Sequence, residues 1–151
     1  MNEGLLGTFA SHEFLRRLGD RHLMLLASGA KPFTAGPGEY LGREGEAAKA
    51  FYLIQSGHVE VGTQRAKGGE AIVQTVGPGE VVGWSWILPP HRWQFDSRAV
   101  DTVRGIAFDA EWLREKCEQD HELGYQLLNE LLAVVASRLV SSWRQRAGMQ
   151  S

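Results

Sequence analysis

The spacing of apolar positions along the chain changes twice, and each change marks a different kind of element. Up to about Gly29, apolar residues cluster at helical spacing: Phe14, Leu15 and Leu18, then Leu23, Leu25 and Leu26. Ser11 is placed to cap a turn leading into the first group, and Gly19 to stop it. Asp20 is placed to cap a second helix that ends at Gly29. From about Lys31 to Phe108 the apolar residues come in short runs separated by glycine. The runs are Phe51–Ile54, Val59–Val61, Ile72–Val76, Val81–Val82 and Val103–Phe108. Short runs of Val, Ile and aromatics bounded by glycine predict strands. Ser56-Gly57 predicts a tight turn, and Lys67-Gly68-Gly69-Glu70 another. Many short strands joined by regular turns imply a sandwich, jelly roll or small barrel.

The third stretch returns to helical spacing. Asp109 is a good N-cap, and no proline follows before about Arg146. A break is expected near Asp120, with Gly124 close behind. Beyond it, Leu128, Leu132, Val135 and Leu139 form a stripe with coiled-coil spacing. Leu127, Leu131 and Val134 form a second stripe beside it. Packing on one small barrel needs less apolar width than this. One stripe is expected to cover the barrel and the other, Leu128 to Leu139, to pair with a second copy in a homodimer. The alternative buries both within one chain.

Composition narrows the class. A chain of 151 residues, 43% hydrophobic and 23% charged, suits one globular domain with a sizeable core. A formal net charge of −2 calls for neither nucleic acid nor an anionic membrane. Arg138, Arg144 and Arg146 read as a solvated helix terminus, where cations suit the macrodipole. The single cysteine, Cys117, makes no internal disulfide and holds no iron–sulfur cluster alone, so a reducing, cytoplasmic setting is expected. No apolar run reaches the ~18 residues of a membrane span. The N-terminus does not read as a signal peptide.

Two segments carry a resemblance. FYLIQSGHVEV (Phe51 to Val61) and VGPGEVVG (Val76 to Gly83) resemble the cyclic nucleotide-binding domain. More narrowly, they resemble the sensor half of catabolite-activator and FNR-type regulators, over about Phe14 to Leu139. Gly38-Glu39 and Glu44-Gly45-Glu46 sit where that family places turn glycines. The resemblance implies an eight-stranded β-roll flanked by short helices and followed by a long dimer-forming helix. The organisation expected is one domain over 1–151. It comprises N-terminal helices over 1–30, the roll over 31–108 with a ligand cassette at 83–100, and C-terminal helices over 109–147. Family transcription factors carry a helix-turn-helix domain after the long helix. This sequence ends at Ser151 without one, so no DNA binding is expected of it, and an unidentified protein partner would read its state.

In the family, a short helix after a Phe-Gly-Glu-type turn offers backbone N–H groups to a cyclic phosphate. A glutamate accepts from the ribose 2′-hydroxyl, and an arginine neutralises the phosphate. The segment here reads GWSWILPPHRWQFDSRAV, Gly83 to Val100. Gly83 keeps the turn glycine, but Trp84 stands in place of the glutamate, and indole has no acceptor for a ribose hydroxyl. Aligning the family's alanine on Ala99 puts Trp93 at the phosphate position, with Arg92 one residue away. Asp96 falls near the phosphate side, where its charge repels an anion. The N-terminal cysteines of the FNR branch are absent, and His91 has no companion that would support haem.

Candidate ligand-binding residues are therefore Gly83, Trp84, Ser85, Trp86, Arg92, Trp93, Asp96 and Ser97. The tryptophans have two readings: core packing that fills a vacated pocket, or an aromatic-lined pocket for a planar ligand. The ligand expected is a cyclic nucleotide or another small planar or anionic molecule; no catalytic residue, resident cofactor or metal is expected. Ser85, His91 and Asp96 lack the spacing of a triad, and the five histidines never form the His-x-His of a cupin metal site. A non-enzymatic ligand-sensing domain that signals through its last helix is the reading, with a ligand-free dimeric scaffold as the alternative.

Overall fold

A computed structural model describes residues 7–9, 12–65 and 69–148. After a turn-rich N-terminal segment come α1 (Asp20–Ala27), β1 (Ala30–Ala35), β2 (Tyr40–Gly42), β3 (Ala50–Ser56) and β4 (Val59–Arg65). Then follow β5 (Gly69–Val76), β6 (Val81–Val82), a 3-10 turn (Trp84–Trp86), β7 (Asp96–Ala99) and β8 (Val103–Asp109). Two helices close the chain, α2 (Ala110–Gln119) and α3 (His121–Arg146). The strands form two four-stranded sheets, ordered β1-β8-β3-β6 and β2-β7-β4-β5, and their pairings are antiparallel. This is the eight-stranded roll with flanking helices that the sequence implied.

The strand β3 shows how the sequence reads on two faces. Successive side chains on a strand point oppositely. Phe51 meets Phe14 (5.5 Å between ring centroids) and Trp86 (5.7 Å). Tyr52 and Ile54 instead join the cluster inside the roll with Ala35, Ala48, Val59, Val76, Val82, Trp93, Ala99 and Val103. Both faces are covered, so this strand appears in the sequence as an unbroken apolar run and not as an alternation. The β3–β4 turn needs Gly57: its φ is 87°, and a Cβ there would lie 2.3 Å from the Thr102 carbonyl oxygen. Asp101 pins the same turn, accepting from the backbone N–H of His58 (2.7 Å) and bonding its Nδ1 (2.9 Å).

The N-terminal expectations need correction. Residues 13–17 form turns, not a helix, because their backbone bonds mix three- and four-residue steps. The His12 ring also competes locally: its Nδ1 accepts from the Phe14 N–H at 3.1 Å. Ser11 lies outside the described residues. Gly19, not Asp20, is the N-cap of α1, and no side chain caps it; Asp20 is the first helical residue. The helix ends at Ala27, two residues before Gly29. Of the second predicted turn, Lys67 and Gly68 lie outside the described residues.

Residues up to Glu115 form one compact unit and Lys116 to Ser151 a second. Asp109 caps α2, accepting from the Trp112 N–H at 2.9 Å. Asp120 breaks the helix where expected and caps α3 through Leu123 N–H at 3.2 Å. On α3, Leu123, Leu127 and Leu131 are buried, while Tyr125, Leu128, Leu132, Leu139 and Trp143 are exposed and Val135 is half-buried. No helix among the described residues is long and apolar enough to cross a membrane.

Two measurements check this packing. Gly57→Ala should cost about 1–3 kcal/mol, read as a lower urea midpoint, because alanine at positive φ is strained and its Cβ meets Thr102. The second concerns His12, buried with Nε2 3.3 Å from the Ile54 carbonyl; burial lowers its pKa below the ordinary 6.5. The folded state therefore favours neutral imidazole, and the unfolded chain takes up the proton first. This contribution is complete above about pH 6.5 and is lost as pH falls below it. Urea midpoints should decline from about pH 7 to about pH 5, and His12→Gln should flatten that slope.

Candidate ligand site

The cassette begins where β6 ends. Gly83 turns the chain at φ 97°, and Trp84–Trp86 make a single 3-10 turn. The return path, His91 to Trp93, is laced to residues 45–48. Ala48 N–H donates to the His91 carbonyl (2.8 Å), Gly45 N–H to the Trp93 carbonyl (2.9 Å), and Trp93 N–H to the Glu46 carbonyl (2.9 Å). The side chains reinforce this ladder. Arg92 donates to the Gly45 carbonyl (2.8 Å), and the Asp96 carboxylate accepts from Glu44 N–H (2.8 Å). Arg92 and Asp96 thus tie down a neighbouring loop.

Trp93 is buried at 6% exposure and belongs to the cluster inside the roll. A Cβ on Gly42 would lie 1.9 Å from its indole, and one on Gly83 3.1 Å from it. The Tyr52 ring stacks beside it, 6.4 Å between centroids at 29°. Trp86 is fully buried on the opposite, Phe51 face of β3. Its indole N–H has no partner among the described residues, and its carbonyl accepts from Arg114 of α2 at 2.8 Å. Ser85 and Ser97 are buried, and Trp84 is half-buried.

Of the eight candidate residues, the structure brings Gly83 and Trp93 together inside the roll. It sets Arg92 and Asp96 on the loop ladder and puts Trp86 on another face. Among the described residues, no hydrogen bond joins Ser85, His91 and Asp96. Among the described residues, no group of three or more His, Cys, Asp or Glu is placed to hold a metal ion. The Cys117 thiol has its pKa pushed up to about 11, first by burial and then by Asp120 and Glu118, which leaves it protonated near neutrality.

Sequence reasoning missed the open space beside Trp93. A cleft of about 490 Å³ is lined by Leu41, Gly42, Glu46, Lys49, Tyr52 and Trp93, together with Ala47 and Ala50. These residues come from β2, the loop after it, β3 and the cassette's return path. Nothing local marks them as a set; only the pairing of distant segments assembles them.

The Trp93 packing has a measurable consequence. Trp93→Ala should cost about 3–5 kcal/mol, because it removes a large ring from a packed interior. Gly42→Ala should cost roughly 1–3 kcal/mol by forcing the same ring from its place. Urea unfolding followed by circular dichroism reads both; an unchanged midpoint for either would contradict the packing.

Comparison with known proteins places this geometry in a family. The family model described as the cyclic nucleotide-binding domain matches residues 32–120. The chain is 30% identical over 88 residues to a CRP-like cAMP-activated global transcriptional regulator of Mycobacterium tuberculosis, covering 58% of this chain and 39% of that protein. It is 36% identical over 107 residues to the acetyltransferase Pat of Mycolicibacterium smegmatis, covering 62% of this chain and 32% of that enzyme. The chain thus spans well under half the length of these relatives. A crystal structure of a cyclic nucleotide-binding domain from Methylobacillus flagellatus superposes with a TM-score of 0.82 over 95% of this chain and 83% of that one, at 17% identity. That last likeness concerns the fold alone. The matched residues run from β1 to the end of α2 and include the whole cassette, and this chain belongs to the cyclic nucleotide-binding domain family.

Proposed function

We propose that this chain is a non-enzymatic, ligand-sensing regulatory domain that acts as a homodimer through α3. In this reading it does not take cAMP or cGMP in the family's usual way. The observation that carries the proposal is the Trp93 indole, packed against Gly42 and beside Gly83 inside the roll. Trp84 offers no acceptor to a ribose hydroxyl, and the Arg92 guanidinium is bonded to the Gly45 carbonyl. A reducing, cytoplasmic setting suits the single shielded cysteine.

The effector surface in this reading is the exposed row on α3. Leu128, Leu132 and Leu139 are 47%, 65% and 46% exposed, and Tyr125 and Trp143 extend the row at either end. The spacing is that of a coiled-coil seam, which fits a second copy of the same helix. A ligand would shift the population of helix arrangements, and a partner would respond to that shift. The ligand-free scaffold remains the competing reading, favoured by the near-complete burial of Trp93.

Light scattering should give a dimer, and Leu132→Glu combined with Leu139→Glu should give a folded monomer. A monomeric parent protein at high concentration would sink the dimer proposal. Calorimetry should show no micromolar binding of cAMP or cGMP; micromolar cAMP binding abolished by Arg92→Ala would overturn the reading of the cassette.

A further inference from the structure

The cleft beside Trp93 has features that the proposed regulatory role does not use. Its volume of about 490 Å³ falls in the range of small-molecule sites, roughly 300–1,000 Å³. Its lining combines apolar and aromatic surface (Leu41, Ala50, Tyr52, Trp93) with two opposite charges, Glu46 and Lys49. Both charged residues are exposed, and neither side chain makes a hydrogen bond or ion pair among the described residues. The Tyr52 hydroxyl reaches only the Leu41 carbonyl, at 3.5 Å, and its pKa is raised by burial. A donor, a cation and an anion are therefore available around an aromatic surface.

We propose that this cleft binds a small zwitterion bearing a flat aromatic ring, a molecule of the aromatic amino acid class. The ring packs on the Tyr52 and Trp93 surface, where aromatic contacts add to the area buried. The carboxylate meets the Lys49 ammonium, and the ammonium of the ligand meets the Glu46 carboxylate. A molecule with a ring but one charge leaves one of these groups unanswered, and that difference supplies the selectivity. Of the eight cassette candidates the site uses only Trp93, at the position aligned with the family's phosphate contact; its two charged residues, Glu46 and Lys49, lie outside the cassette. The inference rests on the reading of the chain as a ligand sensor, and it supplies that sensor's ligand class.

The test is calorimetry on the full chain with three probes: L-phenylalanine, 3-phenylpropionate, which lacks the amine, and 2-phenylethylamine, which lacks the carboxylate. L-phenylalanine should bind saturably and more tightly than either of the others. Lys49→Met should weaken L-phenylalanine about fivefold or more and leave 2-phenylethylamine unchanged. Glu46→Gln should weaken L-phenylalanine similarly and leave 3-phenylpropionate unchanged. Both residues are exposed, so neither variant threatens the fold. No saturable heat with L-phenylalanine, or binding that neither substitution weakens, would overturn the proposal. Light scattering and circular dichroism with and without L-phenylalanine separate this site from the regulatory reading. Binding that leaves both signals unchanged upholds the site and counts against signalling through α3. Absence of binding with an intact dimer removes the site and leaves the dimer standing.

Discussion

The Trp93 indole lies where any side chain on Gly42 would have to go, and much of the first unit is organised around that contact. A ring of this size inside a small roll leaves little freedom to its neighbours. Gly42 and Gly83 must present bare backbone to it, Tyr52 stacks beside it, and small residues such as Ala35, Ala48 and Ala99 complete the cluster. The ladder between residues 91–93 and 45–48 holds the tryptophan backbone in register, so the ring enters the roll at a fixed angle. The cleft of Glu46 and Lys49 is what remains open beside it.

The opposite face of β3 has its own aromatic packing. Phe14, Phe51 and Trp86 form a chain of ring contacts, and Phe9 meets Phe108 as a separate pair. Trp86 is also held by its carbonyl, which accepts from Arg114 on α2. The cassette's 3-10 turn is thus bonded directly to the helix that leads toward α3. Phe51 and Tyr52 are consecutive, so β3 contacts Trp86 on one face and Trp93 on the other.

The polar groups of the cassette do structural work in this chain. Arg92 and Asp96 bond the 44–45 backbone, and Trp84 is half-buried. Both bonds lie at exposed positions and join the cassette's return path to the loop after β2. The fold is retained because its hydrophobic positions do not depend on those groups.

Local sequence was enough to determine the strand-rich middle, the helix cap at Asp109, the helix break near Asp120, and the two apolar rows of α3. Each depends on spacing or on a cap within a few residues, which a single sequence displays. Of the candidate site, local sequence marked the cassette's bounds and the residue types it carries, because both are read directly from Gly83 to Val100. The strands β1, β2 and β7 were not marked by apolar runs. Lys31-Pro32, Tyr40-Leu41-Gly42 and Asp96-Ser97-Arg98 become strands through pairing with β8, β7 and β4. Only the tertiary structure decided that Trp86 and Trp93 lie on opposite faces of β3, that Gly42 makes room for an indole 51 residues away (93 − 42), and that Glu46 and Lys49 border a cleft. Those facts depend on contacts between distant segments, and no local spacing encodes which side of a strand a distant ring will reach.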